Sequence, residues 1–129
     1  MSGRQLVSSG GPYEAAYGYS RAVAVGDGCW VAGTTDAGPD GRSTHAGDAA
    51  GQARAAFGIA IRALADAGFR SEEVVRVRMY VVRAEDATAV AGVNGELFGS
   101  IRPAATLVRV AGLIDPSLLV EVELEARRA

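Results

Sequence analysis

Val74-Val75-Arg76-Val77-Arg78-Met79-Tyr80-Val81-Val82 is the stretch that decides the fold, because apolar and polar side chains alternate along its centre. That two-residue period belongs to a strand with one buried face. On it, Val75, Val77, Met79 and Val81 point one way and Arg76, Arg78 and Tyr80 the other. Upstream, Ala50, Ala53, Phe57, Ala60, Ile61 and Leu64 recur at helical spacing, which predicts a helix from an Asp48 N-cap to about Ala67 with Gly68 at its end. Downstream, a second helix is expected from near Asp86 to near Phe98, burying Val90, Val93 and Leu97. Its Gly92 and Gly95 each cost about 1 kcal/mol relative to alanine.

Further out, the chain reads as strand. Residues 5–8 form a short one, and residues 21–25 and 29–33 flank the turn Gly26-Asp27-Gly28 as a hairpin. Residues 106–110 and 119–126 are two more. In the last, Val120, Val122 and Leu124 alternate with Glu121, Glu123 and Glu125. Residues 36–47, rich in Gly, Asp, Ser and Thr with Pro39-Asp40-Gly41 as a turn, read as an exposed loop. The order β-β-β-α-β-α-β-β implies an α+β fold, a mixed six-stranded sheet with both helices on one face. The other face carries Arg76, Arg78, Tyr80, Arg109, Glu121 and Glu123. Either these charges are solvated or they meet partner subunits.

The 129 residues suit one domain with one core. A net charge of -2 offers no concentrated basic surface for nucleic acid. The 13 basic residues are all arginine, which suits bidentate anion recognition but also a biased codon usage. A single cysteine, Cys29, cannot make an intramolecular disulfide. No signal-like or membrane-length apolar run is present, so the expected location is the cytoplasm, with no membrane contact.

Several segments, in order, resemble the Rid family, also called the YjgF or L-PSP family. They are Gly18-Tyr19-Ser20-Arg21-Ala22-Val23, Gly26-Asp27, Trp30-Val31-Ala32-Gly33-Thr34-Thr35, Gln52-Ala53-Arg54, Leu64-Ala65-Asp66-Ala67-Gly68 and the strand quoted first. The C-terminal signature follows as Arg102-Pro103-Ala104-Ala105-Thr106-Leu107-Val108, Val110-Ala111-Gly112-Leu113 and Leu119-Val120-Glu121-Val122-Glu123. The resemblance implies a chorismate-mutase-like fold and a homotrimer whose sheets line a central barrel, with helices outside. Small-molecule clefts would lie at the subunit interfaces.

The best-known members hydrolyse 2-imino acids to 2-keto acids and ammonia. That needs a guanidinium fork for the carboxylate and a carboxyl group that positions water. Carried over by position, Glu121 is the catalytic carboxyl, Tyr19 the aromatic wall and Ala32-Gly33-Thr34 the backbone turn. Ala105, Leu107 and Arg109 are further substrate-facing positions. The deaminases read Pro-Ala-Arg before Ser or Thr, whereas this chain reads Pro103-Ala104-Ala105-Thr106. Arg109 and Arg78, on the same side as position 105 by alternation, are the candidate substitutes. Arg102 precedes the proline and falls outside the pocket.

Cys29 reads as a small buried hydrophobe, and His45 as a solvated loop residue. One His and one Cys make no metal site, and no glycine-rich phosphate motif stands in strand-to-helix context, so neither metal nor cofactor is expected. Three functions compete. The first is a divergent imine or enamine deaminase-type hydrolase acting on something other than standard 2-imino acids. The second is a non-catalytic metabolite-binding or interaction module. The third is a ribonuclease, as an old family label has it, which the acidic balance disfavours.

Overall fold

The computed structural model describes residues 3–129. Six strands form one mixed sheet: β1 Gln5–Val7, β2 Ala22–Val25, β3 Gly28–Thr34, β4 Val74–Val81, β5 Ala104–Arg109 and β6 Val120–Arg127. Their spatial order is β1-β2-β3-β6-β4-β5, with only β4 and β5 parallel. β2 and β3 close a hairpin in which Val25 pairs with Gly28 across Gly26-Asp27, and Gly26 takes the positive φ of 56° that the turn requires.

Two helices, α2 Ala49–Asp66 and α3 Ala87–Phe98, cover one face. Asp48 caps α2 by accepting from the Gly51 N–H. Beyond it Gly68 takes φ 87°, so the chain can turn towards β4. Ala53, Phe57, Ala60 and Leu64 of α2 are fully buried against Val77, Val81, Val120 and Val122 of the central strands. Phe57 meets Phe98 of α3 edge-on, with ring centroids 5.6 Å apart. An additional single-turn helix, α1 Glu14–Tyr17, ends at Gly18 with φ 76°. No hydrophobic period marks so short a turn, so it is not legible from the residues alone.

Three expectations are corrected. β4 is bulged between Val74 and Arg76, so Val74 takes the inward place and Val75 is turned out to solvent. In α3, Leu97 is exposed and Phe98 is buried in its stead, because the larger ring reaches Phe57. The loop after β3 is built around a buried residue rather than merely exposed. Asp36 Oδ2 accepts from the Ser43 and Thr44 hydroxyls and from the Thr44 and His45 N–H groups. His45 keeps an exposed ring, with Nδ1 3.2 Å from the same oxygen. Asp36→Ala strands these donors, and chemical denaturation is expected to show a loss of about 2–3 kcal/mol.

The polar sheet face answers most of its own charges. Arg78 Nη1 pairs with Glu125 at 3.0 Å, the Tyr80 hydroxyl donates to Glu123, and Arg76 Nη2 donates to Thr106 Oγ1 at 3.2 Å. Exposed Leu6 and Trp30 lie on the same face, along a concavity of about 710 Å³. Among the described residues no helix is long and apolar enough to cross a membrane.

Candidate functional site

A bulge creates the site. Val31 pairs with Leu124 and Thr34 with Val122, so three steps along β3 match two along β6, and the surplus residue falls at Ala32-Gly33. Here β3 bends away and opens a cleft of about 350 Å³, lined by Tyr19, Arg21, Ala32, Gly33, Thr34, Ile59, Ile114 and Glu121, among others. A Cβ at Gly33 would run into Glu121 Oε2, so any side chain there would push the carboxyl group aside. The carboxyl group therefore lies directly on bare backbone.

Glu121 differs from its two neighbours on β6. Glu123 accepts from Tyr80 and Glu125 from Arg78, but among the described residues nothing hydrogen-bonds the Glu121 carboxyl. Burial pushes its pKa up and the Glu123 charge adds to this, while Arg21 opposes both. Such a carboxyl can change protonation state closer to neutrality than a free glutamate.

The residue that sequence reasoning missed is Arg21, which looked like an ordinary strand position. It is 7% exposed and lies on the cleft wall. Its Nη1 donates to the Gly33 carbonyl at 2.6 Å and to Thr34 Oγ1 at 3.0 Å, and its Nε to Ser9 Oγ at 3.3 Å. Glu14 Oε2 stands 3.5 Å from Nε, and the Tyr19 ring centre 5.5 Å from the guanidinium carbon. Burial works to raise the Glu14 pKa. Hydrogen bonds from the Ser9 hydroxyl and the Gly11 and Ser9 N–H groups outweigh it and hold the group low. The only sequence signal was an arginine at the start of an otherwise apolar strand.

Of the positions named from sequence, Tyr19, Ala32, Gly33, Thr34 and Glu121 meet in this cleft. Ala105, Leu107 and Arg109 do not join them. They lie on β5 at the sheet edge, two strand spacings beyond β6. Register pairs Ala105 with Val77 and Val77 with Leu124, so position 105 shares the helix-side face and sits about 14 Å from Glu121. Arg78 pairs with Thr106, not with Ala105, so it faces the opposite side from position 105, contrary to expectation. Arg109, expected on the polar face with Arg78 and Tyr80, pairs with Val81 and so lies on the helix side with Ala105, and its Nε donates to the Val82 carbonyl at 3.2 Å. Cys29 is fully buried, and burial pushes its thiol pKa up.

The fold and cleft define a small α+β protein with a carboxyl group held against a bulged, glycine-bearing strand. The family model described as Endoribonuclease L-PSP matches residues 11–128. An uncharacterized protein of Streptomyces coelicolor is 44% identical over 122 residues, covering 95% of this chain and 90% of that one. A crystal structure from Mycobacterium tuberculosis, described as a member of the highly conserved YjgF/YER057c/UK114 family, is 42% identical. It superposes with a TM-score of 0.87, covering 97% of this chain and 99% of that one. The Escherichia coli YjgF gene product, 23% identical over 97% of this chain and 99% of its own, shares the fold at a TM-score of 0.80. The chain belongs to the Rid, or YjgF/L-PSP, family.

Proposed function

We propose that the chain is a single Rid-type domain acting in the cytoplasm as a homotrimer. In it the open sheet faces line a central barrel, and each Glu121 cleft is completed by the edge strand of a neighbouring copy. The cleft performs a deaminase-type hydrolysis of an imine or enamine other than a standard 2-imino acid. The observation carrying this reading is Glu121, an unpartnered carboxyl with a raised pKa, laid on Gly33 beside Tyr19. In the reaction Glu121 takes a proton from water as its oxygen attacks the C=N carbon. It returns that proton to nitrogen to give a carbinolamine, then carries the hydroxyl proton to the same nitrogen, which leaves as ammonia as the C–N bond breaks and the carbonyl forms.

The trimer is supported by β5, an edge strand with Ala104, Ala105, Thr106 and Val108 all exposed, and by Leu6 and Trp30 on the concave face. Ala105 supports the second reading, a metabolite-binding module without chemistry, because a methyl group offers no fork for a carboxylate. Incubation with 2-iminobutyrate and with carboxylate-free imines, both generated in situ, separates the two. Turnover of the latter that needs Glu121 supports the enzyme, and stabilisation without turnover supports the binder. A monomeric mass by light scattering overturns the shared cleft.

A further inference from the structure

The cation that this chain brings to the cleft is already answered within the chain, and this constrains the ligand. Arginine has five N–H hydrogens, and it grips a carboxylate by offering two parallel ones along one edge. In Arg21, Nη1 is engaged by the Gly33 carbonyl and Thr34 Oγ1, and Nε by Ser9 Oγ. Each edge that could form a fork therefore has one member already engaged. Among the described residues Nη2 has only the Tyr19 hydroxyl, at 3.5 Å. Arg21 can thus add one hydrogen bond to a ligand, and no fork.

Its charge is answered as well. Glu14, 5% exposed and 3.5 Å from Nε, is held in place by Ser9 and Gly11. Arg21 and Glu121 line the cleft and Glu14 stands behind Arg21, so this chain brings one cation and two carboxyl groups to the site and its own contribution is neutral or negative. An incoming carboxylate would leave water to face Glu121 and Glu14 with no fork in return. An uncharged acceptor meets neither obstacle.

Resting on the cleft reading above, we propose that this site binds uncharged small molecules that present one carbonyl- or imine-type acceptor to Arg21 Nη2, and that it discriminates against their carboxylate-bearing analogues. Arg21 is here a specificity-determining contact, and Glu14 the group that holds its charge in check.

The test compares 2-oxobutanamide with 2-oxobutanoate, the same skeleton with and without the charge, by calorimetric titration of the full chain. The amide is expected to bind at least about tenfold more tightly. Changing Arg21→Gln and Glu14→Gln together removes one positive and one negative charge, so the net charge is kept while the Nη2 donor is lost. It is expected to lower amide affinity by about tenfold or more, with the fold checked by thermal melting. Gly33→Ala, which displaces Glu121, should remove binding of both probes and so reports on the cleft itself.

Tighter binding of 2-oxobutanoate that Gly33→Ala abolishes overturns the charge argument and leaves the cleft reading standing. The same preference abolished by Arg76→Gln or Arg109→Gln would assign the grip to a neighbouring copy, which also overturns the proposal. An amide preference that survives the Arg21/Glu14 double change overturns the role of Arg21. Binding of neither probe, or binding indifferent to Gly33→Ala, overturns both the proposal and the cleft reading beneath it.

Discussion

Ala105→Arg is expected to raise the hydrolysis of 2-iminobutyrate and 2-iminopropionate by about 30- to 3000-fold. The range follows from about 2–5 kcal/mol for a charge-assisted bidentate contact on a desolvated carboxylate, at 1.4 kcal/mol per tenfold. Position 105 is an exposed site on the edge strand β5, so the larger side chain has room. Its effect on thermal stability should stay within about 0.5 kcal/mol. Because Ala105 lies about 14 Å from the Glu121 of its own chain and on the other face, the gain requires the cleft of a neighbouring copy. Release of 2-keto acid measures it, and Ala105→Gln serves as the uncharged control. An equal gain from glutamine would remove the carboxylate-fork explanation. No gain from arginine in a trimer would mean that β5 does not border the cleft. The same change should reverse the preference for uncharged ligands, since it adds a second guanidinium with a free fork.

Glu121→Gln should lower turnover of any imine or enamine that the chain accepts by about 10²- to 10⁴-fold, the usual range for a positioned general acid–base group. Glutamine keeps the shape over Gly33 but cannot take a proton from water. The pH profile carries a second signature. Burial, and then the Glu123 charge, raise the pKa of Glu121, so the carboxylate needed as base forms only at higher pH than in a free glutamate. The activity limb of the wild type should lie correspondingly high and vanish in the variant. Stability moves the other way. A folded pKa above the unfolded one means that the stabilising contribution is complete below the unfolded pKa and is lost as pH rises through the folded one. Glu121→Gln should therefore melt at a higher temperature than the wild type near pH 8, with the difference shrinking towards pH 4. Full activity in the variant would exclude Glu121 from the chemistry.

Element by element, the strand and helix pattern was legible because burial imposes a period on the sequence. Val77, Met79 and Val81, or Phe57, Ala60 and Leu64, can be placed by counting. What counting missed were places where the backbone departs from its period. The bulge at Val74–Arg76 turned Val75 outward. The parallel register of β5 on β4 paired Val77 with position 105 and put Arg78 on the other face, a relation that lies between strands and is invisible within either one.

The candidate site divides in the same way. From the sequence came the family resemblance, the mixed sheet, the identities of Tyr19, Gly33, Thr34 and Glu121, and the missing arginine at Ala105. Tertiary structure alone brought Arg21 into the cleft against Glu14, left Glu121 as the one β6 glutamate without a hydrogen-bond partner among the described residues, and separated Ala105 from the cleft of its own chain. The physical reason is range. Side-chain period and turn chemistry act over a few residues and are written locally, whereas the protonation and hydrogen bonding of a buried group depend on whatever the fold packs beside it.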